Sequence, residues 1–221
     1  MKSRIPEGEQ GTQSVMLQIV FSKEKLEVRS PAIFLDRDGV INCRRPRDYV
    51  LNWSQFLFIP GIQGALRQLS TLRLPMILIS NQAAVGKGLL NSSTLQEITA
   101  QMQQTLLADG VSFAAAYYCV HRADDNCDCR KPRPAMLLSA ADKFNIDLGR
   151  SIFIGDSDTD IRAGLAAGCK PVLFGSAHLE RARYSPPAGC IPIAQTADEL
   201  FPISVKCLKD RGDSEPTGDS I

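Results

Sequence analysis

The chain has 221 residues, a formal net charge of +1 and 44% hydrophobic residues. That length suits one well-packed domain with tails, and the near-zero charge offers no global field to draw in nucleic acid or an anionic membrane. No apolar run approaches the ~20 residues needed to span a bilayer, and the polar N-terminus lacks a signal-peptide core, so no membrane partner is expected and the cytoplasm is the expected location.

In chain order, residues 1–30 carry little pattern beyond a candidate strand at 15–21, and they read as an N-terminal extension. Short apolar runs at 32–35, 76–79, 115–119, 152–154 and 172–174 lack strict alternation, which suits strands buried on both faces. Helical patterns fill the gaps. One covers 61–72. A second opens at the capping-box sequence Thr94-Leu95-Gln96-Glu97 and closes at Asp109-Gly110. A third comes after Pro134, a fourth starts after Asp156 and stops at Gly168, and a fifth opens at a second capping box, Thr196-Ala197-Asp198-Glu199. Strands alternating with helices predict an α/β fold, a parallel sheet covered on both faces. The domain is expected over residues 31–205, with 206–221 a disordered tail in which Arg211-Gly212-Asp213 is incidental.

The polar residues at the strand ends are informative. The first strand ends in Asp36-Arg37-Asp38-Gly39, the second in Ser80-Asn81-Gln82 and the fourth in Gly155-Asp156. Ligands of open parallel sheets bind beyond the carboxyl ends of the strands, so Asp36, Asp38, Ser80 and Asp156 should converge. Each alone would be a turn residue or helix cap more often than not; their joint occurrence is harder to explain that way. Carboxylates gathered in one crevice call for a hard dication such as Mg2+, which would also accept a phosphate oxygen. A carboxylate nucleophile, a metal and hydrogen-bond donors together suit phosphoryl transfer, with Ser80 as a donor and Lys131 or Arg130 as the cation. Asp158 and Asp160 read either as helix N-terminal decoration or, for Asp160, as a group holding metal-bound water.

Three of the seven cysteines crowd together. Cys119, His121, Cys127 and Cys129 supply three thiolates and an imidazole, a donor set for tetrahedral, four-coordinate Zn2+ with no open position. The site is therefore expected to be structural, clamping the loop that presents Arg130 and Lys131. Val85-Gly86-Lys87-Gly88 lacks P-loop spacing and reads as a turn. Arg44, Arg45 and Arg47 form a basic cluster on the rim, read either as solvated or as a contact for a second phosphate.

These motifs resemble the haloacid dehalogenase superfamily: Asp36 to Asn42, Ser80, Lys131 and Gly155 to Asp160 match its four motifs in order. The segments Phe34 to Gly39, Ser80-Asn81-Gln82 and Cys127 to Pro132 more closely resemble the D-glycero-D-manno-heptose 1,7-bisphosphate 7-phosphatases and the histidinol phosphatases. The resemblance implies a three-layer Rossmann-like fold and a small phosphorylated substrate. It implies Asp36 as nucleophile and Mg2+ ligand, and Asp38 as general acid and base whose carbonyl also binds Mg2+. Asp156 would be a Mg2+ ligand, Ser80 and Lys131 would stabilise the phosphoryl group, and Arg130, Asn81 and Gln82 would lie at the substrate. Relatives carry a similar zinc site. The short spacing between motifs leaves no room for a large cap domain. Burial among carboxylates is expected to raise the Asp38 pKa for its acid role. The resemblance makes D-glycero-D-manno-heptose 1,7-bisphosphate, cleaved at the 7-phosphate, the leading substrate, with histidinol phosphate or another sugar phosphate the rival and a nucleic-acid end disfavoured; the protein is expected to be a monomer.

Overall fold

The computed structural model describes residues 16–22, 26–45, 48–175 and 191–210. Arg47, the 211–213 triplet and most of the expected tail lie outside them. The strands β1 (Leu17–Val20), β2 (Ile33–Leu35), β3 (Met76–Asn81), β4 (Ala115–Cys119), β5 (Ile152–Gly155), β6 (Lys170–Phe174) and β7 (Ile193–Ala194) form one sheet. Their order is β1-β4-β3-β2-β5-β6-β7. All neighbours pair in parallel except β1, which runs antiparallel to β4. The sheet is thus parallel-dominated rather than wholly parallel. Its antiparallel edge is built from the segment expected to be an extension.

Side chains alternate across a strand, so each strand feeds two cores. Ile33, Leu35, Leu78, Tyr118, Ile152 and Ile154 face one core with residues of α1 (Ile62–Ser70), α3 (Ser92–Ala108) and α6 (Ala197–Lys209). Phe34, Ile77, Ile79, Tyr117 and Phe153 face the other with α4 (Ala135–Phe144) and α5 (Asp158–Ala167). This is the expected three-layer sandwich. The span between Asp38 and Ser80 holds a 3-10 turn at Trp53–Gln55, α1 and β3, consistent with the expected lack of a large cap. Among the described residues, no helix is long and apolar enough to cross a membrane.

One helix start and one capping contact differ from expectation. The cap of α3 is Asn91, whose side chain accepts from Thr94 N at 2.7 Å, so the helix begins before Thr94. Asn is at least as good an N-cap as Thr, and it comes first in the chain. At α6, Thr196 is the N-cap but makes no side-chain cap bond. Glu199 instead accepts from Gln195 N at 2.9 Å. The Val85 to Gly88 stretch lies in and just after a short helix, α2 (Ala83–Gly86), and Lys87 sits 5.4 Å above the Tyr49 ring.

Candidate active site

Strand order reverses about β2, whose neighbours β3 and β5 bring their carboxyl ends beside its own. Asp36 comes directly after β2, and its N–H donates to Ile154 O at 2.9 Å. The chain then turns tightly. Ile41 N and Asn42 N donate to Arg37 O at 2.9 and 3.0 Å, and Gly39 N donates to Asn42 O at 2.8 Å. Gly39 has φ +92°, and a Cβ there would lie 1.8 Å from Asp156 Oδ2. Both facts demand glycine. At the other side of the crevice, a Cβ on Gly155 would lie 2.2 Å from Asp160 Cβ. That glycine lets the first turn of α5 approach the strand.

Carboxylate oxygens of Asp36, Asp156 and Asp160 lie within 4.8 Å of one another, all three residues buried. Lys131 Nζ sits 2.9 Å from Asp36 Oδ1 and 2.6 Å from Asp160 Oδ1, and donates to Ile79 O at 2.9 Å. Burial pushes the Asp36 pKa up to about 6, with Lys131 opposing and Asp160 reinforcing. Burial, with repulsion from Asp36 next in size, pushes Asp156 up to about 7. For Lys131, burial works against the charge, but Asp160 and Asp36 outweigh it and the pKa is raised. Asp160 thus belongs to the carboxylate cluster. It also caps α5, where its Oδ2 accepts from Ser157 N at 3.1 Å and Ser157 Oγ at 2.5 Å.

Asp38 stands apart from this cluster. Its carboxylate accepts from Arg37 Nη2 at 3.0 Å, Asn42 Nδ2 at 2.9 Å and Gln82 Nε2 at 2.7 Å. Burial would raise its pKa, but Arg37 and the two amides prevail and the pKa is lowered. The expectation of a raised value fails because Asp38 faces donors rather than the other carboxylates. Arg37 itself is 1% exposed.

Arg44 reaches in from the rim. Its Nη2 lies 2.5 Å from Asp156 Oδ1 and 3.5 Å from the Asp38 carbonyl oxygen. Arg45 pairs with Asp48 at 2.9 Å on the loop. Asn81 clamps the Lys131 backbone: Nδ2 donates to Lys131 O at 3.2 Å, and Oδ1 accepts from Lys131 N at 3.1 Å.

The cysteine and histidine donors lie beside this centre. Cys119 Sγ is 3.6 Å from both His121 Nδ1 and Cys127 Sγ. Cys129 Sγ is 3.2 Å from His121 Nδ1 and 3.7 Å from Cys127 Sγ. The sulfurs are too far apart for disulfides, which require about 2.05 Å, and the quartet can hold a metal ion.

A family profile described as HAD-hydrolase-like matches residues 128–192. The D-glycero-beta-D-manno-heptose-1,7-bisphosphate 7-phosphatase of Vibrio cholerae is 39% identical over 145 residues, 62% of this chain and 77% of that protein. The chain belongs to this phosphatase family. The Helicobacter pylori (strain J99) member is also 39% identical, over 63% of this chain and 79% of its own. The crystal structure of D,D-heptose 1,7-bisphosphate phosphatase from B. bronchiseptica, complexed with magnesium and phosphate, superposes with a TM-score of 0.72 at 30% identity. It matches 82% of this chain and 99% of its own. The chain is accordingly a phosphomonoester hydrolase of the haloacid dehalogenase superfamily, whose phosphatases use Mg2+.

Within this family member, the structure gathers Asp36, Lys131 and Asp156 at one crevice and places Asp38 and Ser80 beside them through Gln82, which donates to Asp38 and to Ser80 Oγ at 2.7 and 3.1 Å. Arg130 Nη1 approaches His121 O at 3.5 Å. Asn81 and Gln82, expected at the substrate, contact the Lys131 backbone and the Asp38 and Ser80 side chains respectively. Sequence reasoning missed Arg37 and Asn42 as parts of the site, and it placed Arg44 on the rim without its contact to Asp156. The only signal for Arg37 and Asn42 was their place in the segment directly after β2.

Proposed function

We propose that this phosphatase removes the 7-phosphate of D-glycero-D-manno-heptose 1,7-bisphosphate through an aspartyl-phosphate on Asp36. The observation that carries the reading is the Asp36–Lys131 pair beside Asp156 at the centre of the sheet, in a chain 39% identical to a phosphatase of that name.

An Asp36 carboxylate oxygen attacks phosphorus, and the bond from phosphorus to the sugar oxygen breaks. Asp38 gives that oxygen a proton. Asp38, now ionised, takes a proton from the water that cleaves the aspartyl-phosphate and frees phosphate. The donors around Asp38 favour its ionised form, the form needed for the second step, so the proton it passes to the leaving oxygen in the first step must reach it from the incoming phosphate monoanion or from solvent. Lys131 and Ser80 hold the phosphoryl oxygens. The buried oxygen donors of Asp36 and Asp156, with the Asp38 carbonyl, suit a hard dication and would hold Mg2+. Bound there, Mg2+ supplies charge neutralisation for the transferring group.

The quartet suits Zn2+. A tetrahedral site with Zn–S of about 2.3 Å and Zn–N of about 2.0 Å has S···S edges of about 3.8 Å and S···N edges of about 3.5 Å. The observed edges are 3.6 and 3.7 Å between sulfurs and 3.6 and 3.2 Å from sulfur to nitrogen.

The test is phosphate release with Mg2+ across heptose 1,7-bisphosphate, histidinol phosphate, other sugar phosphates and a phosphate-ended oligonucleotide. Asp36→Asn is the control. Selective turnover of the heptose bisphosphate, lost in the control, is expected. Preferential turnover of another substrate would overturn the assignment while keeping the chemistry.

A further inference from the structure

Gln82 stands between two groups assigned to the reaction, Asp38 and Ser80. It is only 3% exposed, and its backbone N–H is fixed by a 2.7 Å bond to Cys119 O, at the end of the neighbouring strand. Its Nε2 donates to Asp38 Oδ2 at 2.7 Å and to Ser80 Oγ at 3.1 Å. Ser80 Oγ accepts this bond, so its own O–H is turned elsewhere. Asp38 Oδ1 is meanwhile held by Asn42 Nδ2 at 2.9 Å.

We propose that Gln82 is a positioning residue that fixes the carboxyl group of Asp38 at the leaving oxygen and does not itself touch the substrate. The inference rests on the reading of Asp38 as the acid. A carboxyl group turns freely about its own bond in a roomy site. Arg37 Nη2 lies 3.0 Å from both oxygens and holds the charge, while Gln82 at one oxygen and Asn42 at the other fix the tilt of the group. Misplacement of a reacting group by about 1 Å is enough to cost ~100-fold in rate. Gln82 draws its own rigidity from β4 through the Cys119 carbonyl.

The chemistry offers a readout that a structural role or a binding role would not move. A sugar alkoxide leaves only when protonated, whereas nitrophenolate leaves unaided. The experiment measures kcat/KM for heptose 1,7-bisphosphate and for p-nitrophenyl phosphate with the wild type, Gln82→Met, Gln82→Asn and Asp38→Asn. Because kcat/KM reports the first chemical step, acid loss shows as a selective deficit on the sugar phosphate. Gln82→Met, close in size but without donors, is expected to lose about 30-fold on the sugar phosphate and less than about 3-fold on p-nitrophenyl phosphate. Gln82→Asn, whose amide falls one methylene short, should show the same sign of difference and serves if the methionine variant unfolds.

Equal losses on both substrates, or a raised KM with unchanged kcat, would overturn the proposal while leaving Asp38 as the acid. If Asp38→Asn shows no difference between the substrates, the acid reading falls and the positioning role falls with it.

Discussion

Arg44 should compete with Mg2+ for the active site. Its Nη2 lies 2.5 Å from Asp156 Oδ1 and 3.5 Å from the Asp38 carbonyl oxygen, two groups proposed to hold Mg2+. Mg2+ binding there must break or loosen this pair. The Arg44 side chain is 43% exposed while Asp156 is 3% exposed, so solvent screens the pair from one side only. The upper end of the range for exposed pairs, about 1 kcal/mol, is the appropriate magnitude, and it corresponds to about 5-fold in a dissociation constant. Arg44→Ala should therefore bind Mg2+ about 5-fold more tightly by isothermal titration calorimetry. Arg45→Ala, on the same loop but paired with Asp48, should match the wild type. Unchanged or weaker binding in Arg44→Ala would refute the competition.

The same geometry yields further expected outcomes. Because the pKa values of Asp36 and Asp156 are raised to about 6 and about 7, both bind protons as pH falls through those values. Mg2+ affinity, measured from about pH 5.5 to 8, should then rise with pH and level off above about 7, with proton release on binding. Gly39→Ala forces a methyl group against Asp156 at a positive φ and should cost about 2 kcal/mol or more in urea unfolding, with loss of Mg2+ binding. Cys129→Ser should lower the zinc content found by elemental analysis and the melting temperature together; full zinc content in the variant would exclude Cys129 as a ligand.

The catalytic centre was legible because Asp36, Ser80 and Asp156 each stand at the end of a short, fully apolar strand, and parallel topology sends those ends to one place. The quartet was legible from spacing alone. The hidden parts depend on where long side chains turn. Arg37 sits between two aspartates in sequence, which gives no hint that its guanidinium is buried against Asp38. The lowered pKa of Asp38 comes in part from donors 4 and 44 residues away. β7 has two residues, too few for a periodic pattern to show. β1 runs antiparallel because it enters the edge from the N-terminal side, without the helical crossover that a parallel partner needs.

Residues 122–126, between His121 and Cys127 of the cysteine and histidine quartet, are all exposed. Cys119 ends a buried strand, and Cys129 stands two residues before Lys131. The loop is thus tied at both ends and open in the middle. Chain lengthened within residues 122–125 should leave the register of Lys131 unchanged, which makes that stretch the place to insert sequence without touching the reaction centre; Asn126 is set apart because its carbonyl accepts from Arg133 Nη1 at 2.6 Å.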